Sequence, residues 1–458
     1  MMPAAVGVYE ASADRPLSWG SRALPITGFG LHRGLFLLYF FGVYSEFHLY
    51  SGSSILFPFV VSHLAGVASI LLAWRRFSSL LTSMIVAIAV VDIVSLPPLL
   101  VLAEDAAFVE QIRSLIQLNV SMVSGCGAFI SLLSLGREFA RRMFFTIATF
   151  ILVVSVFEVY LGGHDVMVAI NNVLYSWRPL GAYVDNGRDI ALWGAVRPLV
   201  FSTEPSLVGI WSSTCLGLYL ILSERTWRNF AVYGGMVLAT LIVCRSPTSG
   251  VIAYATVIFL AINSRNAALY LSGLLVLPVL LYVTLAYSPF YMRAVSYAEQ
   301  ASFFARLIAP YLFTLDVFAN WPFFGIGVGA VDLFRGDVLA VWSKAGIFSS
   351  QPFAATWVTG DLLTNSFFWH WIYFGAVGGL VVLLSLTRAI RAAGVRNWWL
   401  VIAPTAICWQ TVGGYVDART WIFFFLYMAA AVLVQPTAGG VAAEPATRLA
   451  SAQNMPRR

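Results

Sequence analysis

The chain has 458 residues, 60% of them hydrophobic and only 10% charged, and its mean hydropathy is +0.82. A soluble domain cannot bury that much apolar surface, so the composition excludes an ordinary globular enzyme and a disordered protein and implies an integral membrane protein. The net charge of +6 is explained first by basic cytoplasmic loops, and no nucleic-acid partner is expected.

The first thirty residues are mostly polar or small. The apolar run "LFLLYFFGVY" that follows lacks a small-residue cleavage site and reads as a retained first span rather than a signal peptide. Roughly twelve apolar stretches of about 18 to 25 residues follow one another, starting near residues 34, 54, 79, 115, 142, 204, 229, 248, 267, 364, 398 and 420. With the N-terminus inside, Arg75/Arg76, Arg137/Arg141/Arg142, Arg225/Arg228, Arg265 and Arg388/Arg391/Arg396 all fall on the cytoplasmic side, as short basic loops should. The expected fold class is therefore all-α: a polytopic membrane helical bundle of about twelve transmembrane helices with both termini cytoplasmic. Residues 1–436 form one transmembrane domain, and the Ala/Gly/Pro-rich stretch 437–458 is expected to be a disordered cytoplasmic tail.

This topology leaves two long loops outside, about 163–203 and 287–363. Within the second, "FFARLIAPYLFTLDVF" reads as an amphipathic helix carrying Arg306, expected to lie against the membrane surface. Cys126, Cys215, Cys244 and Cys408 are scattered through apolar segments with neither zinc-ligand nor disulfide spacing, so they read as packing residues. Asp92 lies mid-span ahead of Pro97 and Pro98. It is expected either to relay protons or to satisfy backbone freed by the double proline.

Several polar residues interrupt the apolar pattern where chemistry is expected. In "STEPS", Glu204 and Pro205 carry helix-start signals, and simple capping explains them. The same helix end, placed outside and next to Arg197, also offers free N–H groups and a positive dipole end to an anion. Glu204 would orient that arginine or act as a base.

Arg245 sits in the short external turn "CRSPTSGV" beside Ser246, Thr248 and Ser249. Its planar fork suits phosphate oxygens, although snorkelling to lipid headgroups would also place it there. In the second loop Arg306 precedes Gly325, Gly327 and Gly329, whose spacing lets backbones or a ligand approach closely. Asn365 caps the tenth span. His370 lies five residues further on and on another face, and an interfacial hydrogen-bonded histidine and a functional one are equally expected.

These features occur in an order that resembles the O-antigen polymerase and ligase superfamily of bacterial inner membranes. They are an arginine before an E-P-S helix start, an external S/R turn, an R…P-x-x-G-x-G-x-G segment in a long loop, and an N-x-x-x-x…G-x-x-G span, over about residues 178–385. The chain is most similar to the Wzy-type polysaccharide polymerases, whose architecture resembles other multispanning (GT-C-like) glycosyltransferases using lipid-linked donors. The resemblance implies a metal-independent, cofactor-free glycosyltransferase acting on the periplasmic face.

It further implies that Arg197, Arg245 and Arg306, with Asn365, bind the diphosphate of an undecaprenyl-diphosphate-linked donor. The acceptor is a second lipid-linked repeat unit, and Glu204 or His370 is the candidate base. Membrane lipids and a chain-length regulator protein are the other implied partners. Ligases of this superfamily carry a histidine directly before the asparagine, where Thr364 stands here, which favours the polymerase. The ligase using the same donor, and a lipid-linked oligosaccharide flippase or secondary transporter using Asp92, are the rival expectations. No relation between two halves of the chain supports a transporter.

Overall fold

The computed structural model describes residues 26–51, 54–102, 105–178, 186–264, 301, 303–350 and 352–435. The ninth expected span and the tail 437–458 lie outside these residues. The described residues are nearly all helical. Helices α1 (Ile26–Tyr44), α2 (Val60–Ala73), α3 (Ser78–Val101), α4 (Asp105–Leu135) and α5 (Arg137–Tyr160) come first, with a short antiparallel hairpin, β1 (Leu49–Ser51) and β2 (Ser54–Phe57), between α1 and α2. The first long loop carries α6 (His164–Leu174) and α7 (Asn186–Trp193), and α8 (Pro205–Leu222), α9 (Trp227–Cys244) and α10 (Thr248–Ile262) follow. The second loop holds a π-helical turn at Phe304–Ile308, α11 (Ala309–Asn320), α12 (Arg335–Lys344), α13 (Ile347–Ser350) and α14 (Thr359–Leu362). Helices α15 (Ser366–Ala392), α16 (Trp399–Trp409) and α17 (Ala418–Val434) close the described chain.

Six of the described helices, α3, α4, α5, α8, α9 and α15, are long and apolar enough to cross a membrane, and α2, α10, α16 and α17 are shorter apolar helices. The chain is thus a helical membrane protein. Four boundaries differ from expectation. Helix α1 is helical from Ile26 rather than from about residue 34, and α5 begins at Arg137 rather than near 142. The stretch near residue 54 begins as the hairpin and turns helical only at Val60, while α4 starts at Asp105, ahead of its most apolar part. Helix α8 is the innermost, buried along almost its whole length, and Trp211 on it stacks on Phe423 of α17 with ring centroids 5.5 Å apart.

Of the arginines expected to be cytoplasmic, Arg137 donates from Nε to Leu222 O (2.8 Å) and Arg225 from Nη2 to Asn263 O (3.0 Å), tying helix ends together at one end of the bundle. The opposite end, at which α8 begins, is called upper below.

Helices α2 and α4 touch through their backbones. A Cβ on Gly127 would lie 1.9 Å from Gly66 O, so only glycine lets them pack this closely. A buried polar seam accompanies the contact, with His63 Nδ1 2.9 Å from Ser124 Oγ and Ser131 Oγ donating to Ser69 Oγ at 2.7 Å. The Asp92 carboxylate accepts a 2.8 Å bond from Asn119 Nδ2 on α4, an interhelical partner.

The glycine-rich segment of the second loop packs into a break in α15. Helix α15 is broken at Gly375 (φ 67°, ψ −175°), and residues 322–327 run along the break. Ile326 and Gly327 N–H donate to Ile372 O and Tyr373 O (both 3.0 Å), while Ala376 and Gly378 N–H donate to Pro322 O and Phe323 O (both 2.8 Å). A helix in lipid can be unwound only where another segment satisfies its freed backbone groups, and this segment does so. Helix α11 likewise departs from the amphipathic expectation. Its outward face carries Tyr311, Leu312 and Leu315, and its inner face buries Phe313 and Val317.

A Cβ on Gly325 (φ +62°) would lie 2.4 Å from Ile372 O and 2.5 Å from Gly375 N, backbone atoms that have no room to move. Besides the roughly 1–2 kcal/mol of left-handed backbone strain, Gly325→Ala must therefore open the break. The expected outcome is a sharp loss of monodisperse protein after detergent extraction, measured by size-exclusion chromatography. Gly336→Ala, where a Cβ meets nothing within 4 Å, should leave the yield unchanged.

Candidate functional site

The polypeptide approaches α8 through a strained turn. Val200 (φ 40°) and Phe201 (φ 60°) adopt positive φ, which is rare for a β-branched or bulky residue and persists only where the surroundings hold it. Here every exit is held. The buried Glu158 carboxylate at the top of α5 accepts from Leu199 N–H (2.8 and 2.9 Å) and Val200 N–H (3.2 Å). Tyr44 Oη donates to Val200 O (2.6 Å), Tyr175 Oη to Phe201 O (2.7 Å), and Asn171 Nδ2 to Ser202 O (3.1 Å). His164 supports Glu158 from 3.1 Å and reaches Asn186 with its other ring nitrogen (3.0 Å).

This clamp sets the direction of α8. Glu204 is its extended N-cap residue and Pro205 its first helical residue, as the start signals imply. The side chain of Glu204 does not cap the helix. It is exposed and accepts a 3.0 Å bond from Ser206 Oγ, so the carboxylate is left facing outward.

Arg197 lies just before the clamp, paired through Nε and Nη2 with Asp189 Oδ1 on α7 (2.9 and 2.8 Å). Arg245 ends α9 in a left-handed conformation (φ 49°), and Ser246 and Ser249 behind it pack on Gly209, where a Cβ would come within 2.9 Å of both. Arg197 thus precedes α8, Glu204 is its N-cap residue, and the turn that follows Arg245 packs on its second turn.

Arg306 and Asn365 form a second group. Asn365 is fully buried. Its Oδ1 accepts from Phe367 N–H (3.1 Å) and Phe368 N–H (3.3 Å), capping α15, and its Nδ2 donates to Arg306 O at 2.6 Å. Asn365 therefore holds the π-helical turn that carries Arg306, and its side chain has no surface to offer a diphosphate. The two groups are neighbours through α14. Burial, with the Glu204 charge adding, holds the Asp361 carboxyl above its usual range.

His370 is not part of either group. It is 2% exposed, its Nε2 lies 3.0 Å from Gly379 O and its Nδ1 2.8 Å from Tyr415 Oη. Since a carbonyl can only accept, Nε2 carries the proton and Tyr415 donates to Nδ1. Both nitrogens are used, so the ring has no lone pair for an acceptor hydroxyl. Its place in the chemistry is corrected to a structural one.

Sequence reasoning missed the hub under the strained turn. Glu46, at positive φ (49°) just beyond α1, accepts from Thr203 Oγ1 and from Arg419 Nη1 at the start of α17, and Arg178 Nη1 stands 3.8 Å away. Arg419 also faces Asp417 (3.9 Å), which accepts from Gln117 Nε2 at 2.6 Å. Burial raises the Asp417 carboxyl to about 7 despite Arg419, and burial together with Arg178 and Arg419 lowers His48 to about 3, keeping it neutral. The available signal was a charged residue at the mouth of each terminal span, in "YSEF" and "VDART".

Among the described residues no three His, Cys, Asp or Glu side chains converge as metal ligands. No protein-family model matches the chain, and no curated protein matches it.

Proposed function

We propose that the protein is a membrane glycosyltransferase of the Wzy type. In this reading it transfers an undecaprenyl-diphosphate-linked glycan onto a second lipid-linked repeat unit at the periplasmic face of the bacterial inner membrane. The upper end of the bundle faces the periplasm, twelve spans place both termini in the cytoplasm, and the end tied by Arg137 and Arg225 meets the cytosol. The observation that carries the reading is the start of α8, where Glu204 faces outward at the N-cap, Arg197 precedes it paired with Asp189, and the turn after Arg245 packs on Gly209.

A diphosphate leaving group gathers negative charge as the glycosidic bond breaks. Guanidinium groups and helix N–H donors fixed at a water-poor boundary stabilise that charge without having to reorganise. Arg197 and Arg245 take the diphosphate from the α8 side, and Arg306, held by Asn365, reaches it from the second loop. Glu204, with the Ser206 hydroxyl on its carboxylate, is the group placed to take the acceptor proton.

The test is deletion of the gene in its host, with carrier-linked glycans separated by size. Single repeat units accumulating on the outer side are expected. Long polymer left on its carrier would point to the ligase instead, and units trapped on the cytoplasmic side to a flippase.

A further inference from the structure

Helix α6 follows α5 through the turn at Gly162 and Gly163 and carries part of the clamp. Its inward residues are buried. They are Met167, Asn171, which donates to Ser202 O, and Tyr175 just past the helix end, which donates to Phe201 O. His164, at its first position, contacts Glu158. The helix therefore bears directly on the strained turn before α8.

The outward side of α6 is divided in two. Val166, Ile170 and Val173 are large apolar residues left 53%, 39% and 77% exposed, whereas Asp165 and Asn172 are exposed polar ones. At 3.6 residues per turn the buried, the exposed apolar and the exposed polar faces are centred roughly 120° apart. A helix surrounded by water gains nothing from gathering its exposed apolar residues on one face, and a helix crossing lipid has no place for the polar face. Three such faces suit a helix lying along the membrane surface, where protein, hydrocarbon and water each meet one of them.

Two further observations say what covers the apolar face. Phe150, Val153, Phe157 and Tyr160 are exposed on the membrane span α5, and the exposed Leu161 continues them along the chain to Val166. At the other end of α6, Trp177 packs on Phe47 and Tyr50 with ring centroids 4.5 and 5.5 Å away, and aromatic groups of this kind collect at the level of the lipid headgroups.

We infer that α6 is an interfacial helix whose partner is the lipid surface. Val166, Ile170 and Val173 seat in the leaflet at the upper end of the bundle, and this seat holds, through Asn171 and Tyr175, the turn that aims Glu204. The inference goes beyond the function proposed above and needs only that the chain is a membrane protein. A second copy of the chain on the same face is the rival occupant.

The experiment uses the full chain in phospholipid nanodiscs with a spin label on one introduced cysteine, Val166→Cys, Val173→Cys, Asp165→Cys or Asn172→Cys. The four native cysteines are buried, and the unsubstituted chain gives the labelling background. Collision is measured with oxygen, which concentrates in lipid, and with a water-soluble nickel chelate. Labels replacing Val166 and Val173 are expected to favour oxygen several-fold, and those replacing Asp165 and Asn172 to favour the chelate.

Val173→Asp puts a charge on the lipid face and leaves the buried face intact. It should speed amide hydrogen exchange of residues 199–202 roughly tenfold, while Val173→Leu should leave it unchanged. Chelate access at Val173 equal to that at Asn172 would mean that the face lies in water, and little collision with either reagent would mean that protein covers it. Either result overturns the inference, as does unchanged exchange of residues 199–202 in Val173→Asp. The collision measurements stand without the aspartate variant.

Discussion

Arg197→Lys is expected to insert and fold like the wild type and to lower polymer formation by about a hundredfold or more. Lysine keeps a positive charge for Asp189, so the buried carboxylate of α7 is not left alone and the stability cost is small. What lysine cannot supply is the planar fork. Arg197 directs Nε and Nη2 to Asp189 Oδ1, an arrangement that fixes the guanidinium plane relative to the first turn of α8, and an ammonium fixes no such plane. Removing one oriented donor from a developing anion costs roughly 10²–10³ in rate.

Arg245→Lys should behave likewise, because lysine keeps the charge but loses the planar fork at a turn that packs on Gly209 of α8. The measurement is the length distribution of carrier-linked glycan in a deletion strain complemented with each variant, normalised to protein in the membrane. Wild-type polymer from both variants would remove the diphosphate assignment.

Glu158→Ala should be the most damaging single change outside the site, lowering stability by roughly 2 to 6 kcal/mol. The magnitude follows from two backbone N–H groups, of Leu199 and Val200, that would lose a charged acceptor where water cannot replace it. Val200 and Phe201 would then have less to hold them at positive φ, and the approach to Glu204 would relax. Thermal unfolding in detergent and polymer length should therefore fall together. Asn171→Ala, which removes only the bond to Ser202 O, should cost less. If Glu158→Ala unfolds at the wild-type temperature, the clamp does not hold the turn.

Legibility from the sequence divides by range. The starts of α8, α10 and α15 could be read within a residue or two, because caps and proline act on their own helix. The capping of α15 by Asn365 was read correctly for the same reason. Its second bond, to Arg306 O, was not, since 59 positions separate the partners. The G-x-G-x-G segment advertised close approach but not to what. Pairing with a break in α15 depends on Gly375, whose sequence surroundings are those of an uninterrupted helix. Asp92 was recognised as costly in lipid, but its partner Asn119 sits on another helix.

The candidate site shows the same division. Arg197, Glu204 and Arg245 stood out because each charge interrupts an apolar run, a property of the chain alone. Glu46 and Arg419 are equally charged, yet their pairing spans 373 positions and is created only when α1 and α17 pack on either side of the α8 end. The role of Glu158 has no local sign in the sequence, since the Leu199 N–H that it accepts from lies 41 positions away.

Composition by itself determined that this chain is a membrane protein of apolar helices, because solvation of a helix in lipid depends on its own side chains. Tertiary structure alone decided which polar groups are exposed to act and which are consumed as structure. His370 lost its lone pair to Tyr415, and Asn365 lost its surface to the Arg306 turn. A buried polar atom takes whatever partner packing brings within about 3 Å, and that partner comes from a distant part of the chain.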